Sequence, residues 1–330
     1  MATRKDVAQR AGVSVATVSY VLNGTKKVTA EVEARVRKAV HELDYRPNLL
    51  ARGLSMKKTH HVALVVDNMH NPHISDVLFG AQEIASQNGY IVSVLSVDIS
   101  RPQDLLDLTR RGVDGVILAL ATDNQRLQDL LDPDMPVASV GEYLKLEQDQ
   151  AIDDMVAHLT GLGHRRIAFL SGLPHQEPYH PRFLSLAKAL NARGLSMEPE
   201  LVVSGRSVTS VNEAEGARAM SELLDRKVPF TAVYAINDLV AMGAIRALRM
   251  RGLKVPEDVS VVGNDRLEVY RWVTPTLATM EGCAVEIGRR LMQQMIDRIT
   301  SKPLQECTLV VKYVPGESVG PAAAGPHRWT

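Results

Sequence analysis

The chain has 330 residues, 45% apolar and 23% charged, which suits two or three globular domains with a sizeable core rather than a disordered or fibrous polypeptide. Its formal net charge is zero, yet residues 1–58 hold twelve Lys/Arg against five Asp/Glu while the remainder holds 26 against 33. A small basic head on an acidic body points to a polyanion contact confined to the head. Two cysteines, Cys283 and Cys307, are too few for a metal cage or a disulfide framework. There is no run of about 18 apolar residues and no signal-peptide core, so the chain reads as cytoplasmic and without membrane contact.

At the start of the head, Thr3 and Asp6 are spaced as a capping box, with Asp in place of Glu, and Val7, Ala8 and Ala11 share one helical face. Gly12 breaks the pattern. Ser14 then caps a second helix with Val18, Val21 and Leu22 on one side, which Asn23-Gly24 ends. Thr29 caps a third, longer helix that turns Val32, Val36, Ala39, Val40 and Leu43 inward. Three helices in about 45 residues, the first two joined by a short Gly turn, predict a helix-turn-helix. Residues 45–60 are basic; Pro47 stops the third helix and Asn48 can cap a short helix through Leu54 that orders only in context.

From His61 the pattern changes. Short β-rich runs at 62–66, 90–97, 115–120, 136–140, 166–172, 230–236 and 259–263 alternate with helical patterns at 74–88, 151–162, 182–193, 212–224 and 238–251. That alternation predicts parallel, doubly wound α/β sheets, grouped into two lobes before and after about residue 160. Residues 307–313 read as a late strand returning to the body, and the Pro/Gly/Ala-rich tail as disordered.

The head is specific enough to carry a family resemblance. T-x-x-D-V-A-x-x-A-G-V-S-x-x-T-V-S-x-V-L-N at 3–23 resembles the DNA-binding head of the LacI/GalR family of bacterial transcription regulators. The likeness continues through YRPNLLARGL (45–54), LGHRRIAFLSG (162–172), Asn237-Asp238, RGLKVPEDVSVVG (251–263) and TPTLATM (274–280). It implies an all-α helix-turn-helix domain at 1–46, a hinge helix and linker at 47–60, and an α/β core at 61–320. The core would be two Rossmann-like lobes of the periplasmic-binding-protein kind. Lobe 1 would take 61–160 plus a return near 281–305, lobe 2 would take 161–280 plus 306–320, and 321–330 would be the tail. The implied protein is a ligand-responsive repressor that binds palindromic, double-stranded operator DNA as a homodimer or tetramer.

A recognition helix presents its N-terminal half to base edges in the major groove. Carried over, the pattern gives Val15, Ala16 and Tyr20 the base readout, and Thr3, Ser14, Thr17, Ser19, Asn23 and Asn48 the phosphates. The alternative is that Ser14 and Thr17 serve only as a structural cap and first-turn residue. The resemblance also implies that Leu54, with Ala51 and Arg52 beside it, wedges into the minor groove and kinks it.

In the core the resemblance places effector contacts at His73, Arg182, Asn237 and Asp265. An Arg–carboxylate set can clamp vicinal hydroxyls through charge-assisted hydrogen bonds. The chain departs from the family in several places: Ser185 for a glycine, Asn264 for an aromatic, His73-Ile74 for two aromatics, Gly141 for an acid, EQDQAI at 147–152 for D-N-x-x-G-A, and a short stretch between 96 and 111. With only 4% aromatics, the candidate sugar platforms are Tyr143, Tyr179, Phe183, Tyr234, Tyr270 and Trp272. A sugar or sugar derivative is the family's default effector; another small molecule, or a pocket that has lost its ligand, stays open. No cofactor, metal or catalytic residue is expected, because G-x-S-x-G, Walker A and G-x-G-x-x-G patterns are all missing. A stand-alone solute-binding protein would share the core but would lack the basic head.

Overall fold

The computed structural model describes residues 2–23, 26–45, 58–97, 112–119, 127–174, 180–207 and 211–324. Two compact units divide the chain, residues 1–59 and 60–330. In the first, α1 (Arg4–Ala11), α2 (Val15–Asn23) and α3 (Ala30–Glu42) form the head. Thr3 and Asp6 make both halves of the capping box, each accepting from the other's backbone N–H. Gly12 ends α1 at φ 64°, a left-handed conformation in which its N–H reaches the Ala8 and Gln9 carbonyls. The Ser14 hydroxyl accepts from Thr17 N at 3.0 Å and Thr29 from Val32 N at 3.4 Å, so each helix begins on a hydroxyl cap. Val7, Val18 and Val36 are fully buried, with Ala8, Ala11, Ala39 and Tyr45 around them. So small a core leaves little margin of stability. The expected hinge helix, with Asn48, Ala51, Arg52 and Leu54, lies outside the described residues.

The second unit begins with β1 (His61–Val66), α4 (Pro72–Gln87), β2 (Ile91–Ser96), β3 (Gly115–Ala119), β4 (Val137–Ser139) and β5 (Leu144–Glu147). It continues through α5 (Asp149–Gly161), β6 (Ile167–Leu170), α6 (Pro181–Asn191), β7 (Val202–Val203), α7 (Glu213–Asp225), β8 (Ala232–Ala235) and α8 (Asp238–Met250). Then come β9 (Ser260–Val262), β10 (Thr279–Glu281), α9 (Ala284–Ile299), β11 (Cys307–Val310) and β12 (Lys312–Val314). Lobe 1 carries a parallel sheet of order β2-β1-β3-β4, and lobe 2 a parallel sheet of order β7-β6-β8-β9. Val62–Val66 and the whole of β6 and β8 are buried, which is why they read as continuous apolar runs rather than alternating ones. The doubly wound prediction therefore holds in both lobes.

In lobe 1, α4 and α9 cross at backbone contact. A Cβ on Gly80 would lie 1.9 Å from the Val285 carbonyl oxygen, and one on Gly288 would lie 1.9 Å from that of Val77. Only glycine permits that approach, and the closeness lets Val77, Ile287 and Leu291 reach the sheet core.

Three of the sequence boundaries differ. Helix α5 packs Ile152, Met155, Val156 and Leu159 into the lobe 2 core, so the lobes divide near 148 and not near 160. The late strand at 307–313 is two strands: β11 pairs in parallel with β5 in lobe 1, while β12 pairs antiparallel with β10 beside lobe 2. The chain consequently crosses between lobes three times, around 148, 282 and 311. The docked chain also runs past 320, because Ala322 N donates to the Leu162 carbonyl and buried His164 meets the Gly320 carbonyl at 2.9 Å. Residues 321–324 are thus held, contrary to the expectation of a disordered tail from 321, and 325–330 lie outside the described residues. No helix among the described residues is long and apolar enough to cross a membrane.

Candidate nucleic-acid face and effector cleft

On α2, buried Val18 anchors the helix and leaves the opposite side free. Val15 is 41% exposed and Tyr20 36%, with Ala16 exposed between them. The Lys26 ammonium lies 5.4 Å from the Tyr20 ring centroid, a cation the sequence reading did not single out although it follows the Asn23-Gly24 break. The hydroxyls assigned to phosphates already have local partners. Ser14 and Thr17 share a 2.8 Å contact, Thr3 is in the capping box, and Ser19 accepts from Arg4 Nη1 at 3.5 Å. Capping does not exhaust them, since a hydroxyl offers one donor and two acceptor sites. The Asn23 side chain lies outside what is described.

Across the core, side chains from both lobes converge on a cavity of about 210 Å³. Lobe 1 supplies Asp67, Asn68, Asn71 and His73 from the end of β1 and the start of α4, and lobe 2 supplies His180, Arg182, Asn237 and Asp265. All four effector positions from the sequence thus line one cleft, at the carboxyl ends of parallel strands where α/β sheets open to ligands. Local sequence explains the placement. Asn71, His180 and Asn237 are helix N-caps whose side chains accept from His73 N, Arg182 N and Val240 N, and Pro follows the first two caps at N1. Three helix N-termini therefore point toward the cavity.

Asp265 is the hub. Its Oδ1 takes Asn264 Nδ2 at 3.0 Å and Arg182 Nη2 at 3.4 Å, while Arg182 Nη1 donates to the Ile236 carbonyl. The backbone at Asp265 is strained, with φ 127°, and is fixed by Asp265 N donating to the Met280 carbonyl. Behind it, Asp238 is fully buried and accepts from Thr279 Oγ1 at 2.6 Å and Leu267 N at 2.7 Å. Burial, reinforced by the Asp265 charge, pushes the Asp238 carboxyl up to about 7. Burial and the neighbouring Arg182 cation push the His180 imidazole down to about 3, so it is neutral with Nδ1 as acceptor and Nε2–H free to donate.

The sequence reading missed Asp67, Asn68 and His180 as cleft residues. The available signal was position: the first two follow the β1 run directly, and His180 precedes Pro181 at a helix start. Among the described residues, the aromatic candidates do not line the cavity. Tyr234 is buried against Phe169 with its hydroxyl donating to Asn264, Phe183 packs on the same Phe169, and Tyr143 sits beneath Arg298. Tyr270 donates to Glu213, Trp272 is 81% exposed, and Tyr179 lies outside the described residues. Rings this large are drawn into core or rim packing by their apolar area. The departure at Ser185 also has a physical reason, since its hydroxyl donates to Asp149 at 2.6 Å and ties α6 to α5. Among the described residues no group of three or more His, Cys, Asp or Glu could hold a metal ion.

The chain matches known proteins along most of its length. Residues 3–48 match the profile of bacterial regulatory proteins of the lacI family, and 156–319 that of the periplasmic binding protein-like domain. The HTH-type transcriptional repressor PurR of Pectobacterium atrosepticum is 33% identical over 316 residues, covering 92% of each chain. The transcriptional regulator CelR in complex with cellobiose is 29% identical with a TM-score of 0.68, over 96% of this chain and all of that one. The lac repressor dimer bound to operator and the anti-inducer ONPF is 24% identical with a TM-score of 0.83, over 97% and 99% of the two chains, and shares the fold. These relatives are transcriptional regulators, two of them named repressors, and not enzymes, and with a third of its residues identical across nearly the whole of one of them, the chain belongs to the LacI family of bacterial transcription regulators.

Proposed function

We propose that this regulator binds a palindromic operator as a homodimer and is switched by a compact sugar or sugar derivative held between its lobes. The observation that carries the reading is the convergence of Asn71 and His73 from lobe 1 with Arg182, Asn237 and Asp265 from lobe 2 on one cavity. A ligand there touches both lobes and can favour one inter-lobe angle over another. The Arg182–Asp265 pair suits vicinal hydroxyls, and about 210 Å³ suits a monosaccharide-sized ligand better than a drug-sized one. A relative seen with cellobiose supports the class. The lack of Phe, Tyr or Trp among the described lining residues favours, as a second reading, a small polar effector that is not a sugar.

On the DNA side, Val15, Ala16 and Tyr20 read bases. Neither Val15 nor Ala16 can make a bidentate hydrogen bond, so the readout leans on thymine methyls, Tyr20 and the kink that Leu54, with Ala51 and Arg52 beside it in the hinge, introduces into the operator's minor groove. Thr3, Ser14, Thr17, Ser19, Asn23 and Asn48 position the head on phosphates. Phe79 on α4 and Ile91 on the edge strand β2 are 56% and 67% exposed on lobe 1, which supports a subunit contact there. Lobe closure then shifts that contact and brings the two 48–55 segments together or apart, with a coupling of about 1–3 kcal/mol.

The test has two arms. A thermal-shift screen of sugars, polyols, sugar phosphates and nucleobases on wild type and Arg182→Ala should give a sugar-dependent shift that the variant loses; a shift from another class alone overturns the sugar assignment. Binding-site selection with Tyr20→Ala and Leu54→Ala should change preference in the first and lower affinity in the second; unchanged affinity in Leu54→Ala removes the wedge.

A further inference from the structure

We propose that the proton is a second effector of this chain: protonation of His73 draws the two lobes together by pairing its imidazolium with Asp265 across the cleft. The proposal uses the two-lobed cleft and does not depend on which small molecule, if any, the cleft takes.

His73 is the second residue of α4 in lobe 1, fixed by its backbone N–H donating to Asn71 Oδ1 at 3.0 Å. Its side chain is 20% exposed, and Nδ1 is a buried atom without a hydrogen-bond partner among the described residues. Among the described residues the nearest opposite charge is Asp265 Oδ1 of lobe 2, 4.0 Å away, on a side chain only 5% exposed. Ordinarily a buried polar nitrogen finds a partner. Here the separation is about 1.2 Å longer than a charge-assisted N–H···O bond, so a slight closure completes it. The pair sits at the middle chain crossing, where a Cβ added to Gly282 would come 3.6 Å from both His73 Cε1 and Asp265 Cα. The two side chains belong to different lobes, so a change in the inter-lobe angle changes their separation.

The charges around His73 set the sign. Asp265 lies opposite and Asp67 lines the same cavity from the end of β1, while Arg182 and neutral His180 face it from α6. On its own helix the next acid in sequence is Asp76. From α9, Glu286 is committed to Arg289 and Arg290, and burial pushes the Cys283 thiol up and keeps it neutral. At the crossing, Arg266 and Glu281 are paired with each other at 2.6 Å. The N-terminus of α4 opposes a cation at His73, as does Arg182. Asp265 is the closest of these charges among the described residues, and water screens a pair less in a partly enclosed cleft than at the open surface. Histidine is the side chain suited to such a proton-driven switch, and closure is favoured as acidification puts the proton on His73. Asp265 already binds Arg182 and Asn264, so the imidazolium joins a preformed acceptor and no new charge is buried without a partner.

The test uses the full-length, ligand-free protein. Thermal unfolding and small-angle X-ray scattering are recorded between about pH 8 and 5.5 for wild type, His73→Gln, Asp265→Asn and the double variant, with His73→Asn as a second neutral replacement should His73→Gln fold poorly. Wild type should gain about 2–4 °C over His73→Gln on going to the lower pH, and its radius of gyration should shrink. In the Asp265→Asn background the His73 substitution should no longer alter either pH response. A pH-independent difference overturns the proposal. So does a gain in melting temperature with no change in radius, because the pair would then be static.

Discussion

Arg182→Ala tests whether the cleft is held by its one described guanidinium. Removing a partner from a buried ion pair costs about 3–5 kcal/mol, because the other charge is left stranded. Two features reduce that figure here. The Arg182 side chain is 25% exposed, so water offsets part of its charge already, and Asp265 keeps Asn264 Nδ2 at 3.0 Å after the arginine is gone. The Ile236 carbonyl also loses its donor. We expect a loss of about 2 kcal/mol, which for units of this size lowers Tm by about 4–8 °C. Arg182→Ala/Asp265→Asn should recover part of that loss, since it removes the stranded charge along with its partner. The assay is thermal unfolding of the ligand-free chain near neutral pH. A single variant within about 1 °C of wild type, or a double variant worse than the single, refutes the ion-pair account.

In the head, Ser14→Ala removes the hydroxyl that accepts from Thr17 N and should cost about 1 kcal/mol; faster amide exchange at residues 15–18 and weaker DNA binding would show it, and unaltered exchange would not fit. Gly288→Ala places a Cβ 1.9 Å from the Val77 carbonyl oxygen and should cost at least about 1–3 kcal/mol by forcing α4 and α9 apart, with thermal unfolding as the check. Asp238 is protonated in the folded chain up to about 7 but titrates near 3.8 when unfolded. The native state thus holds the extra proton between those values, and stability falls as pH rises across that window. Asp238→Asn should remove that slope in urea unfolding measured at about pH 4.5 and 7; a slope equal to that of wild type would exclude Asp238 as its source.

Legibility followed locality. The helix starts in the head were readable because a cap is decided within four residues: Thr3 with Asp6, Ser14 with Thr17 and Thr29 with Val32 bond as their spacing implies. The parallel strands were readable because burial on both faces leaves an uninterrupted apolar run, as at Val62–Val66. Strands β5, β7 and β10 were missed. The first, Leu144–Glu147, alternates buried and exposed residues over only four positions, and the other two have two and three residues, too few for any periodicity. Arg182, Asn237, Asp265 and His73 were reached through the family pattern, whereas Asp67, Asn68 and His180 had no motif to mark them.

What the sequence determined by itself is therefore most of the elements, the basic head and its helix-turn-helix, the family, and four positions of the cleft. Each depends on short spacing or on burial that one strand's composition already declares. The tertiary structure alone decided which lobe owns α5, that residues 307–313 divide between two sheets, and that the described aromatic candidates lie outside the cleft lining. It alone also brought His73 to 4.0 Å from Asp265, residues 192 positions apart in the chain. Contacts of that kind depend on where three chain crossings put one lobe against the other, and no local pattern in the sequence encodes that geometry.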